Sequence, residues 1–215
     1  MGRKVHPNAI RMGINKTWDS VWYANKRDYA GILAQDLKIK KIVRKSMKDA
    51  GIDSVIIKRA MNRVEIEVFV ARPGVAIGRG GEGIDVLQKK LNKMTKQNIE
   101  VKIREVKKAD LSARVLARSI ADGIERRQPS KLLAISVRDK AMMAGAKGIR
   151  IWISGRINNA SQARTIKFDE GSVPAQTLKA DIDYAEETAH TLDAGLLGVK
   201  IWVYKGDKTK IEQQD

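Results

Sequence analysis

Gly78-Arg79-Gly80-Gly81 stands between a segment of period two and a segment of helical period, which fixes a strand, a tight loop and a helix in that order. Before the loop, Val64-Glu65-Ile66-Glu67-Val68-Phe69-Val70 alternates apolar with mostly acidic residues, the pattern of a half-exposed strand whose glutamates solvate one face. After it, Glu82 to Lys96 places Ile84, Leu87, Leu91 and Met94 at helical spacing. Glycine lacks Cβ, so the main chain can approach a phosphate closely and point its N–H groups at the oxygens. A helix N-terminus beyond the loop favours an anion, and Arg79 adds a charge that cannot be neutralised.

Two other readings compete for these residues. Gly78, Gly80 and Gly83 also spell the G-x-G-x-x-G of a dinucleotide loop, with Glu105 near the position of a ribose-binding carboxylate. Such a loop begins almost directly at the end of a buried strand, whereas here Arg72-Pro73-Gly74 intervenes and the strand is half exposed. A plain surface turn is the other reading. The surrounding cations favour the RNA backbone, which G-x-x-G loops of KH type clamp over a few nucleotides.

The 215-residue chain is long enough for two modest cores. Its 42 Lys+Arg against 25 Asp+Glu give a net charge of +17 and imply a polyanionic partner. Residues 1–107 hold 24 Lys+Arg and 11 Asp+Glu, a net of +13, while residues 108–215 carry a net of +4. The N-terminal half should therefore supply most of the attraction. No run of about 18 apolar residues is present, so no membrane partner is expected. The first residues lack a signal-peptide core, and His6 breaks the myristoylation pattern, so a cytoplasmic protein is expected. The absence of cysteine removes disulfides, thiolate nucleophiles and Cys-based zinc sites. His6 and His190 are too few and too separated for a catalytic or metal cluster, and His190 reads as a satisfied structural residue. No cofactor, metal or catalytic residue is expected, and the chain does not read as an enzyme.

The expected architecture is α+β. Residues 1–16 are expected to form a basic arm before a first domain at 17–107, with Trp18, Trp22 and Tyr23 either anchoring the arm to that domain or stacking on bases, the former being the commoner role beside a helix. That domain reads as a helix over Leu37–Ala50 ended by Gly51, strands at Ser54–Arg59 and Arg63–Val70 around a Met61-Asn62 turn, the glycine loop and its helix, and a strand at Ile99–Val106. Helices should cover one face of this small sheet. A second domain at 108–206 starts with Asp110 as N-cap, followed by a helix to about Arg127 and another from Ser130 to Gly145. Ile149, Ile151, Ile153 and Val199, Ile201, Val203 then repeat with period two, giving a mainly antiparallel sheet whose aliphatic face meets the two helices. Its Trp152- and Trp202-bearing face is either a docking surface or covered by a terminal segment. A polar tail occupies 207–215.

The chain resembles the bacterial-type small-subunit ribosomal protein conventionally numbered three. The resemblance rests on Gly2, Lys4-Val5-His6-Pro7, Ile10-Arg11 and Gly13-Ile14 at the start, and on Ala71-Arg72-Pro73-Gly74 followed by Ile77-Gly78-Arg79-Gly80-Gly81. It continues through Gly145-Ala146-Lys147-Gly148-Ile149, Ser154-Gly155-Arg156, Ala163-Arg164-Thr165, Ala180-Asp181-Ile182-Asp183-Tyr184 and Gly198-Val199-Lys200-Ile201-Trp202. It implies an N-terminal type-II KH domain and a distinct α/β C-terminal domain in the head of the small ribosomal subunit. It also implies contacts with small-subunit ribosomal RNA, with messenger RNA where it enters, and with neighbouring head proteins, numbers ten and fourteen in the family's convention. In that family a basic helix of the second domain helps unwind messenger.

The candidate RNA contacts are Arg72, Gly78, Arg79, Gly80 and Gly81 around the loop, and Lys89 and Lys93 on the helix after it. Arg126, Arg127, Lys131, Arg156 and Arg164 are the candidates in the second domain, and Arg3, Lys4, His6 and Arg11 those in the arm. Two departures from the resembled pattern matter. Leu132 and Ile135 replace cations on the messenger-facing helix, where they are expected to pack locally, and Asn158-Asn159 replaces a glycine pair. Asparagine tolerates left-handed backbone angles, so that turn should survive. The rival function is a free-standing KH regulator of RNA.

Overall fold

The computed structural model describes residues 4–60, 63–95 and 98–208. Arg3, the Met61-Asn62 turn, the tail beyond Lys208 and the side chain of Arg79 lie outside the described residues. In chain order the elements are α1 (Pro7–Ile10), β1 (Ser20–Val21), α2 (Tyr29–Ser46), β2 (Ile52–Ala60), β3 (Arg63–Val70), α3 (Pro73–Ile77), α4 (Glu82–Thr95), β4 (Asn98–Glu105), α5 (Ala113–Glu125), α6 (Ser130–Met143), β5 (Gly148–Gly155), β6 (Arg164–Gly171), β7 (Ala180–Thr191) and β8 (Gly195–Asp207). They form two compact units, residues 18–109 and residues 1–17 with 110–215.

In the first unit the sheet order is β1-β2-β3-β4. β2 and β3 are antiparallel, whereas β3 and β4 run parallel from Arg63↔Asn98 to Val70↔Glu105. A parallel pair needs a crossover, and α3, the glycine loop and α4 supply it. Ile39 and Val43 of α2, Met47 just beyond it, and Leu87 and Leu91 of α4 pack on Val64, Ile66, Val68, Ile99 and Val101, so the helices share one face of the sheet. Each such buried aliphatic side chain contributes roughly 1.5–3 kcal/mol.

Three local expectations change here. α2 begins eight residues earlier than Leu37, because Tyr29, Leu33 and Leu37 form a stripe facing solvent that no core periodicity reveals. It ends at Ser46, and a single 3-10 turn leads to Gly51, whose φ of 69° only glycine adopts cheaply. Glu67 does not solvate the open face. It is buried, accepts a hydrogen bond from Arg104 at 2.8 Å and pairs with Lys58 at 3.3 Å, so flanking cations replace water. Of the three aromatic residues expected to anchor the arm, Trp18 and Tyr23 are exposed, and Trp22 instead donates to Asp36 Oδ2 at 2.7 Å within its own unit.

In the second unit β6-β5-β8-β7 is antiparallel throughout. Ile149, Ile151, Ile153, Val199, Ile201 and Val203 pack against Ala117, Ile120, Ile124, Ala134 and Val137 of the two helices. α5 and α6 approach closely because Gly123 carries no side chain; a Cβ there would lie 2.6 Å from Leu133 Cδ1. Ser112, not Asp110, caps α5, its Oγ accepting from the Val115 N–H at 3.3 Å. Asp110 lies inside a preceding 3-10 turn.

The aromatic face of this sheet is covered by the arm. Trp152, Trp202 and Tyr184 form a continuous ring cluster, and His6 meets Tyr184 edge-on at 4.8 Å. Arg11 is fully buried and donates to the carbonyls of Pro7, Ala175, Thr177 and Ala180 at 2.7–2.9 Å. The Ala175, Thr177 and Ala180 carbonyls lie in or beside an irregular stretch between β6 and β7, and the planar guanidinium satisfies several directions at once. The arm therefore packs with the C-terminal unit rather than on the KH-like unit.

Candidate nucleic-acid interface

The glycine loop is built by two short approaches. Pro73 opens α3 and Gly78 closes it, its N–H bonding to the Gly74 carbonyl at 3.1 Å. α4 then starts so near that a Cβ on Gly83 would sit 2.9 Å from the Ile77 carbonyl oxygen. Gly78, Gly80 and Gly81 all have positive φ, at 75°, 62° and 87°. Around Gly80 and Gly81 no atom would meet a Cβ within 4 Å, so these residues present bare backbone to solvent. Arg72 is exposed beside the loop, and Lys89 and Lys93 are exposed on successive turns of α4.

The first turn of α4 carries Glu82 and Asp85, which already compensate the helix dipole. The loop's attraction for phosphate must therefore come from its backbone N–H groups and the lysines, with the helix end contributing less.

In the second unit the structure divides the candidates. Arg126 caps α5 through its backbone, and Arg127 follows with φ of 61°. Both are exposed, as is Lys131 in the first turn of α6. Arg127 faces Asp193 at 3.8 Å, a solvent-exposed pair of little energetic weight. Leu132 does not pack locally; it is 64% exposed, while Ile135 is half-buried. Arg156 donates to the Ala160 carbonyl at 3.0 Å, stapling the turn that contains Asn158 and Asn159. Those two asparagines have φ of 55° and 58°, so the turn keeps the left-handed geometry expected of it. Arg164 is exposed at the start of β6.

The arm candidates fare differently. Arg11 is corrected: its guanidinium is spent on buried carbonyls and offers nothing to RNA. Lys4 lies 5.2 Å from the Trp152 ring centroid and His6 packs on Tyr184, yet both keep exposed surface. His190 is exposed too.

A feature invisible in sequence is a cleft of about 250 Å³ at the corner between α5 and α6. Its apolar lining is Ile124, Ile157 and Leu197, and the turn of Asn158 and Asn159 and the β7–β8 hairpin tip form its walls. Only the left-handed tolerance of asparagine pointed towards it.

Residues 38–111 match the KH domain family, and residues 120–203 match the family described as Ribosomal protein S3, C-terminal domain. The small ribosomal subunit protein uS3 of Acetivibrio thermocellus is 44% identical over 215 residues, covering 100% of this chain and 95% of its own. The uS3 proteins of Streptococcus pneumoniae strains Hungary19A-6 and CGSP14 are 45% identical over 207 residues, covering 96% of this chain and 94% of theirs. The likeness spans both units and both sets of exposed cations, and the chain belongs to the uS3 family of small ribosomal subunit proteins.

Proposed function

We propose that this protein is a non-enzymatic structural constituent of the small ribosomal subunit in the cytoplasm, binding ribosomal RNA through the glycine loop with Arg72, Lys89 and Lys93. The observation that carries this reading is near-full-length similarity to uS3 proteins combined with exposed cations and bare backbone at the loop. Fixed backbone donors and cations on a rigid crossover grip a phosphate chain without needing its sequence.

The finer assignment concerns messenger. Arg126, Arg127 and Lys131 cluster in sequence at the α5–α6 corner, all exposed, and form a cationic edge suited to holding a separated strand. They would line the channel where messenger RNA enters, with neighbouring head proteins, the family's numbers ten and fourteen, as protein partners. No bond is made or broken; gripping opened strands lowers their free energy while the ribosome supplies the motion. Sucrose-gradient sedimentation tests the reading: the tagged protein should run stoichiometrically with small subunits. Its recovery only in the free pool would favour a free-standing RNA regulator.

A further inference from the structure

Among the described residues, Arg127, Asn158 and Asn159 are the non-glycine residues with positive φ, and all three line the cleft at the α5–α6 corner. Left-handed backbone at non-glycine residues is retained where the surrounding structure holds it, and such residues concentrate at binding sites. Here they put two amide-bearing residues and an arginine in the lining of one recess. We propose that this cleft receives an unstacked nucleobase of single-stranded RNA.

The lining matches what a splayed base needs. Ile124, Ile157 and Leu197 give an apolar floor for the ring, and the exposed His190 supplies an aromatic plane at the rim. Asn158, Asn159 and Gln128 offer both donors and acceptors to a base edge. Their mixed character distinguishes a base from a phosphate, which would call for donors alone. Of the two acidic lining residues, Glu125 accepts the His190 backbone N–H at 3.3 Å and pairs with Arg118 at 3.5 Å, whereas Asp193 stands only in an exposed pair with Arg127 at 3.8 Å. Arg126 and Lys131, exposed on either side in sequence, supply cations for the flanking phosphates. The choice of RNA as occupant follows from this charge and from the net +17 of the chain. The inference rests on the RNA-binding reading above and deepens it by naming the part of the nucleotide that is held.

The test uses the full-length protein and a single-stranded RNA oligonucleotide carrying one 4-thiouridine, irradiated and mapped by mass spectrometry. Crosslinks are expected within residues 124–130, 157–159 or 190–194. Asn158→Gly with Asn159→Gly keeps the left-handed turn and removes the amides, and Ala194→Trp fills the recess from the hairpin tip. Each should lower the cleft crosslink yield about tenfold, the scale of one lost base contact. Met143→Ala, at an exposed position outside the cleft, should leave it unchanged. Crosslinks found only elsewhere, or equal yields from both cleft variants and the parent, overturn the base-binding proposal while leaving RNA binding intact. Failure of the full-length protein to bind the oligonucleotide at all would instead sink the broader reading, and this one with it.

Discussion

Arg11 Nε donates to the Ala180 carbonyl at 2.7 Å and so joins two residues 169 positions apart in sequence. The same guanidinium reaches Thr177 and Ala175 at 2.9 Å, so one side chain ties the arm to the segment leading into β7. Removing it would leave several carbonyls inside the protein without donors, and unsatisfied buried groups cost more than the average bond gains. Arg11→Ala should therefore lower stability by about 3 kcal/mol. Lysine should rescue little, since a point-like ammonium cannot serve acceptors in divergent directions. Urea unfolding followed by tryptophan fluorescence reads both; a change under about 0.5 kcal/mol for alanine, typical of surface sites, would refute the clamp.

Asp183 gives a pH dependence. Burial opposes its ionisation, but Lys205, Lys16 and the Ala113 N–H together outweigh burial and hold its pKa below the usual 3.8. A depressed folded-state pKa means the unfolded chain takes up its proton first as pH falls. The stabilisation is present above the unfolded pKa of about 4 and is lost as pH drops through the folded value. Asp183→Asn keeps an acceptor near Ala113 but loses the attraction to both lysines. The stability gap between parent and variant should be full near neutrality and shrink in acid. A gap independent of pH in thermal melts would show that Asp183 acts only through its shape.

Most of this fold was legible in the residues because its periodicities were clean. Val64, Ile66, Val68 and Val70, like Ile149, Ile151 and Ile153, are buried as their spacing requires, and Ile84, Leu87 and Leu91 of α4 lie on the sheet while Met94 is exposed. The sequence failed where an interaction was non-local. Nothing near Arg11 marks it as a buried clamp, because apart from the Pro7 carbonyl its acceptors lie more than 160 residues away. Glu67 looked solvated for the same reason, its partner Arg104 arriving only when β4 pairs alongside β3. The loop was readable from its glycines, whereas the corner cleft needs three segments brought together by the sheet and was not.

The glycine loop and the first turn of α4 make opposing predictions. Arg79→Asp with Gly80→Asp should leave the unit folded, because Gly80 has open space around it and aspartate tolerates left-handed angles. RNA affinity should fall, since a cation is lost and two carboxylates are placed at the phosphate path. Glu82→Gln with Asp85→Asn should do the reverse, raising affinity by unmasking the helix end, at a helix-stability cost of about 0.3–1 kcal/mol per residue. Fluorescence anisotropy with labelled single-stranded RNA at two salt concentrations measures both. Equal affinity for all three proteins would make the loop a plain turn.

The corner between α5 and α6 carries the messenger prediction. Changing Arg126, Arg127 and Lys131 together to alanine removes exposed cations without touching the core, so subunit assembly should be preserved. Translation through a downstream hairpin should slow, while translation of an unstructured messenger should change little, because each lost contact acts on a strand being held open. Leu132 supplies the converse experiment. It is 64% exposed, so Leu132→Arg adds a cation with almost no loss of packing, and hairpin transit should quicken. Ile135 is half-buried, and Ile135→Lys should bring less benefit because part of any gain is offset by lost burial. If these residues only contact ribosomal RNA, the triple variant should show an assembly defect or no effect, with no hairpin-specific delay. Equal slowing on hairpin and linear messengers, measured on correctly assembled subunits, would end the unwinding role for this corner.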